Sequence, residues 1–120
     1  AETLGRMSVE TSPEVDRKIY RQPQFDEMFR RTLAAGFAQG SAGYARDTVL
    51  HLSPWPFRVE DLDCPVYLWY GEHDTNPTHS PDHGRTLARR IPKAVRHHVA
   101  DAGGALLWTH ADRILRDLLG

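Results

Sequence analysis

The sequence predicts an α/β fold with an incomplete sheet, in which a helical first half precedes a parallel β-α-β-α unit. Three observations predict it. Before Pro54, apolar residues recur at three- and four-residue steps, the spacing of helix faces. Then Pro65-Val66-Tyr67-Leu68-Trp69-Tyr70 forms a continuous apolar run closed by Gly71, the pattern of a strand buried on both faces. After it, helix and strand signals alternate, which implies parallel strands joined by crossover helices.

Residues 1–11 are polar and show no periodicity, so no element is predicted there. Thr11 or Ser12 ahead of Pro13-Glu14 reads as an N-cap with proline in the first turn, starting a short helix that runs through Tyr20. Pro23 restarts the chain, and Phe25, Met28, Phe29, Leu33 and Phe37 form one helical stripe limited by Gly36 and Gly40. A third helix begins at Ser41 or Ala42, carries Tyr44, Val49, Leu50 and Leu52, and stops at Pro54 and Pro56. Beyond the apolar strand, a proline-led helix is predicted from about Pro81 to Ile91, and Pro92 ends it. Ala94–Ala100 reads as a second, less apolar strand, and Leu106–Leu119 as a last amphipathic helix with Leu107, Ile114, Leu115, Leu118 and Leu119. Two parallel strands do not make a stable sheet alone, so the chain reads as part of a larger fold.

Composition limits the function classes. The 120 residues are one domain's worth, and 15 Lys plus Arg against 16 Asp plus Glu give a net charge of −1. Such a balance provides no basic field for nucleic acid or an anionic membrane. Apolar residues make up 40% and charged residues 26%, the mix of a globular protein with a modest core. No apolar run approaches the ~20 residues of a membrane-spanning helix. Cys64 is the single cysteine, so no disulfide forms within the chain and a reducing, cytoplasmic setting is expected. Its place before the strongest strand predicts a packing role rather than nucleophilic chemistry.

Seven histidines raise the question of a metal. Among His73, Asp74, His79 and His83, the pair His79 and His83 has i,i+4 spacing, but Pro81 intervenes and the segment begins as loop. Neither a metal nor a cofactor is expected. His97 and His98 are neighbours on a strand and point to opposite faces. His110 reads as a polar residue at a helix end, and Arg85, Arg89 and Arg90 as a solvated face. Trp55, Phe57, Tyr67, Trp69, Tyr70 and Trp108 could line an apolar pocket, but aromatic residues at these spacings are expected in the core.

The stretch Trp55-Pro56-Phe57-Arg58-Val59-Glu60-Asp61-Leu62-Asp63-Cys64-Pro65-Val66-Tyr67-Leu68-Trp69-Tyr70-Gly71-Glu72-His73-Asp74 resembles the late part of α/β-hydrolase enzymes. Their pattern there is a tryptophan, a spacer, Cys-Pro-Val, an apolar strand, then Gly-Glu-x-Asp. The resemblance continues through His83-Gly84-Arg85-Thr86-Leu87-Ala88-Arg89-Arg90-Ile91-Pro92-Lys93-Ala94, similar to the helix before the final strand in esterase-like members, and covers roughly residues 41–119. It departs from the family at Pro77, which comes one place early, and in the extra residues before Pro81.

The resemblance implies that residues 1–40 are the tail of a helical cap, and that residues 41–120 are the C-terminal β-α-β-α layer of a serine hydrolase fold. It assigns Asp74 to the triad acid, whose chemistry is to orient the imidazole that activates a serine. Read on its residues alone, Gly71–Pro77 is a polar turn that favours Asp and Asn on local grounds. The family's catalytic histidine falls on Gly104, or on Ala105 with a one-residue shift, and neither accepts a proton. The nucleophile elbow G-x-S-x-G is absent from the sequence, and Ser41 in Gly40-Ser41-Ala42-Gly43 has the wrong spacing and no strand before it. Alone, the chain is expected to be inactive. Its expected partner is another copy of itself or the missing nucleophile-bearing segment, with a small-molecule substrate only for a complete parent enzyme, and with neither nucleic acid nor membrane. The alternative is a non-catalytic binding or self-association module derived from the same fold.

Overall fold

A computed structural model describes residues 2–76 and 78–120. The first half is helical: α1 (Glu2–Thr11), α2 (Glu14–Tyr20), α3 (Pro23–Gly36) and α4 (Ala42–Leu52). The second half contains β1 (Val66–Gly71), α5 (Arg85–Arg90), β2 (Ala94–Val99), α6 (Leu106–Thr109) and α7 (Ala111–Leu119), with a 3-10 turn at Val59–Asp61. The protein is therefore mixed α/β with a two-stranded parallel sheet.

Helix α1 occupies residues for which no element was expected. Its half-buried positions are Leu4, Gly5, Ser8 and Val9, which share one helical face, but two of them are not apolar and so leave no hydropathy signal. Gly5 is the contact point: a Cβ there would press on Leu33 and Phe29 of α3. Thr11 and Ser12 do not cap α2 either. The Thr11 hydroxyl donates to the Met7 carbonyl (2.8 Å) and the Ser12 hydroxyl to that of Ser8 (2.5 Å), so both close α1, while Pro13 takes the N-cap position of α2.

In the second half β1 and β2 pair in parallel from Val66↔Ala94 to Gly71↔Val99. The helix between them is shorter than predicted, because the chain from Pro81 to Gly84 forms turns and both His83 (φ +50°) and Gly84 (φ +73°) are left-handed. Gly84 takes the N-cap position of α5, and Asp82, two residues before it, accepts from the Thr86 amide (2.8 Å) and the Thr86 and Ser80 hydroxyls (2.6 and 2.9 Å). The Thr86 hydroxyl above all, then the Thr86 amide and the Ser80 hydroxyl, hold the Asp82 carboxyl well below the ordinary aspartate range. The last helix is also interrupted, since His110 (φ −130°, ψ 18°) separates α6 from α7.

The two faces of the sheet are covered differently. On one, Trp69 stacks on His97 (centroids 3.9 Å apart), Arg113 lies over the Trp69 ring, and Val99, Ala102, Leu106 and Ile114 form the core. On the other, Tyr70 meets the backbone at Gly84, just before α5. His97 and His98 do point to opposite faces, pairing with Asp117 (3.6 Å) and Glu72 (2.8 Å) respectively. Three expectations need correction. The β1 residues Val66–Tyr70 are only half-buried, because each strand of a two-stranded sheet has one partner. Of the six aromatic residues expected in the core, Trp69 packs against it, while Trp55, Phe57 and Trp108 are exposed. Cys64 is exposed rather than packed. Among the described residues, no helix is long and apolar enough to cross a membrane.

Candidate functional site

Parallel pairing brings the two strand exits to the same edge, and the contact continues beyond the strands. The Glu72 amide donates to the Val99 carbonyl and the His73 amide to that of Ala102, both at 2.9 Å. This approach is close enough that a Cβ on Gly71 would overlap the backbone at Ala102 and Gly103. Asp74 and Gly104 thereby become neighbours across the exits of β1 and β2.

Two adjacent glycines on the second exit differ in whether a side chain would fit. At Gly103 a Cβ would overlap the Asp16 carboxylate, so no side chain fits. At Gly104 the backbone is not left-handed, and a Cβ would sit at ordinary contact distance, 3.4 Å, from the carboxylate carbon and both oxygens of Asp74. A side chain at position 104 would therefore be admitted and would face Asp74. Ala105, the other candidate for the histidine position, is buried.

Asp16 is the residue that sequence reasoning missed. It is 2% exposed, the buried charged residue among those described, and it accepts from the amides of Gly104 (2.8 Å) and Ala105 (3.2 Å). These bonds tie α2 to the second strand exit across 88 and 89 residues of sequence. Nothing local in Glu14–Tyr20 signals such a distant partner.

Asp74 has a 9% exposed side chain and two kinds of partner. Its Oδ1 accepts from the Asn76 amide (3.1 Å), the Asx turn that the local reading of this segment anticipates. Its Oδ2 lies 2.5 Å from Nδ1 of His79. A carboxylate on Nδ1 is the arrangement that orients an imidazole for work at Nε2. Of the histidines weighed in the sequence, His79 alone is brought to Asp74, and it comes from the loop rather than from a helix. Pro77, where the loop departs from the hydrolase pattern, lies outside the described residues.

Asp74, His79, Gly104 and Trp108 line a cleft of about 880 Å³ roofed by α1, α2 and α3. Tyr20, Phe25 and Trp108 make its aromatic wall, with Phe25 against Tyr20 at 4.9 Å and edge-on to Trp108 at 5.0 Å. Burial first, and then the charges of Asp16 and Asp74, raise the Tyr20 hydroxyl above its ordinary pKa of 10.0. Hydroxyls also line the cleft, but those of Ser8, Thr11, Ser12 and Thr32 all donate to carbonyls one helical turn back. None of these is paired with His79. Ser41 stands at the start of α4 and His110 pairs with Thr109 (2.7 Å), neither of them lining the cleft. The site thus holds an oriented carboxylate and an imidazole, with no activated nucleophile among the described residues.

A second group of ligand-type side chains gathers on the α5 face, where Glu72, His83 and His98 place one donor atom each within 4.8 Å of one another. Local spacing gave no hint of it, because the three are drawn from a strand exit, a turn and a strand. Comparison with models of protein families, with curated proteins and with solved structures gives no match to this chain.

Proposed function

We propose that this chain is the C-terminal part of an α/β-hydrolase-fold protein, with Asp74 as the acid of a catalytic triad and Gly104 at the place of its histidine. One observation carries the reading. A side chain at position 104 would face the Asp74 carboxylate across the exits of two parallel strands, where a triad acid and base meet. The parent would be an esterase-like serine hydrolase acting on a small molecule, its cap contributed in part by residues 1–40. The nucleophile would come from the segment that completes the sheet. The chain by itself would be inactive, because acid, base, nucleophile and oxyanion donors act as a unit.

A second reading is favoured by a different observation. Every residue of α4 is exposed, as are Leu115, Leu118 and Leu119 of α7, so the fold presents apolar faces that need a cover. In this reading the same scaffold, stripped of its base, serves as a binding or self-association module.

Gly104→His tests the first reading. Because His79 already occupies Asp74, the substitution is made together with His79→Gln, and the introduced imidazole is followed by NMR titration. A carboxylate favours the charged ring, so its pKa should rise about one unit above the ordinary value near 6.5, and Asp74→Asn should cancel the rise. An unshifted titration insensitive to Asp74→Asn overturns the assignment. The unaltered chain should show no turnover of short-chain p-nitrophenyl esters, and turnover abolished by Asp74→Asn would contradict the role given to Gly104.

A further inference from the structure

We infer that Glu72, His83 and His98 form a binding site for a divalent cation of the zinc type. The three residues come from separate places, and each is positioned by the fold. Glu72 follows β1, with its amide bonded to the Val99 carbonyl (2.9 Å). His98 lies on β2, with Nε2 2.8 Å from Glu72 Oε2. His83 closes the set from the turn before α5, its ring 5.2 Å from that of His98.

The 2.8 Å contact between Glu72 and His98 explains two members but leaves the third. His83 holds a left-handed backbone (φ +50°), a conformation that residues with a side chain rarely adopt. It is fixed there by the Arg96 guanidinium, whose Nε donates to the His83 carbonyl at 2.5 Å. Arg96 and His98 are two positions apart on β2 and share a face, so one strand supplies both a ligand and the brace for another.

The donor set selects the metal. Two imidazole nitrogens and one carboxylate oxygen suit zinc and its neighbours, whereas calcium and magnesium require oxygen ligands. Zinc–ligand bonds of about 2.0 to 2.1 Å place tetrahedral donors roughly 3.4 Å apart. The donors here lie within 4.8 Å of one another, and the exposed Glu72 side chain can close the difference by rotation. Three protein ligands leave a fourth position to solvent.

The test is calorimetric titration of the full, untagged chain with zinc chloride, with the visible spectrum of the cobalt(II) adduct as an independent reading of coordination. One equivalent should bind. Glu72→Gln, His98→Ala and His83→Asn should each weaken zinc by at least about tenfold and reduce the cobalt bands. Asparagine is chosen at position 83 because it tolerates the left-handed backbone. His51→Ala and His79→Gln should leave the affinity unchanged. Absence of stoichiometric binding overturns the site, as does affinity that survives both Glu72→Gln and His98→Ala. The Glu72 side chain is exposed, so loss of the fold does not obscure the result for Glu72→Gln, and circular dichroism verifies the fold of each variant.

Discussion

Asp16 joins the two halves of the chain through a single carboxylate. The carboxylate is nearly shut off from water, its bond from Ala105 buried and that from Gly104 part-buried, so truncating it strands the Ala105 amide as well as removing an acceptor from Gly104. Asp16→Ala should therefore cost roughly 2 to 4 kcal/mol, read by urea unfolding, and should speed exchange of the Gly104 and Ala105 amides. A loss below about 0.5 kcal/mol would mean that the two halves are held by other contacts, chiefly Phe25 against Trp108. At this scale the sequence is legible where a residue's partners are close in the chain. Asp74 and its Asx turn were readable, and so was the opposite orientation of His97 and His98. Asp16 and the Glu72, His83 and His98 group were not, because their partners are fixed by strand pairing and helix docking rather than by spacing.

Element boundaries followed the same logic. Pro23, Pro54 and Pro92 mark real ends, since proline acts on the backbone within one residue of itself. Burial was less legible: the apolar run Val66–Tyr70 has the composition of a strand covered on both faces, and its composition speaks for a sheet wider than the one present. The open edge can be located by residue. The Val66 and Glu72 amides donate toward β2, to Lys93 and Val99, so alternation turns Leu68 and Tyr70 the same way and turns Tyr67 and Trp69 outward. Hydrogen exchange should consequently find the Tyr67 and Trp69 amides much less protected than those of Leu68 and Tyr70 in dilute chain. Equal protection of all four would show that the outer edge of β1 is already covered.

The whole molecule carries more surface than its mass warrants. A folded monomer of 13.6 kDa should expose about 6,600 Å², whereas this chain exposes 8936 Å². The radius of gyration is 16.0 Å, against about 14 Å for a compact domain of this length. The excess is of the size that obligate interfaces remove from water. It is concentrated where the elements lack a second side: the outer edge of β1, the fully exposed α4, and the Leu115, Leu118 and Leu119 face of α7. An eleven-residue helix such as α4 is marginal in water without a surface to pack on, so the free chain has a reason to find one. Size-exclusion chromatography with light scattering should accordingly give a mass above 13.6 kDa that falls on dilution. If the nucleophile-bearing segment is the true cover, supplying it should replace self-association by a one-to-one complex in which the Tyr67 and Trp69 amides become protected. A monomer that unfolds cooperatively and keeps α4 helical would remove the need for any cover, and with it the argument that these apolar faces belong to an interface.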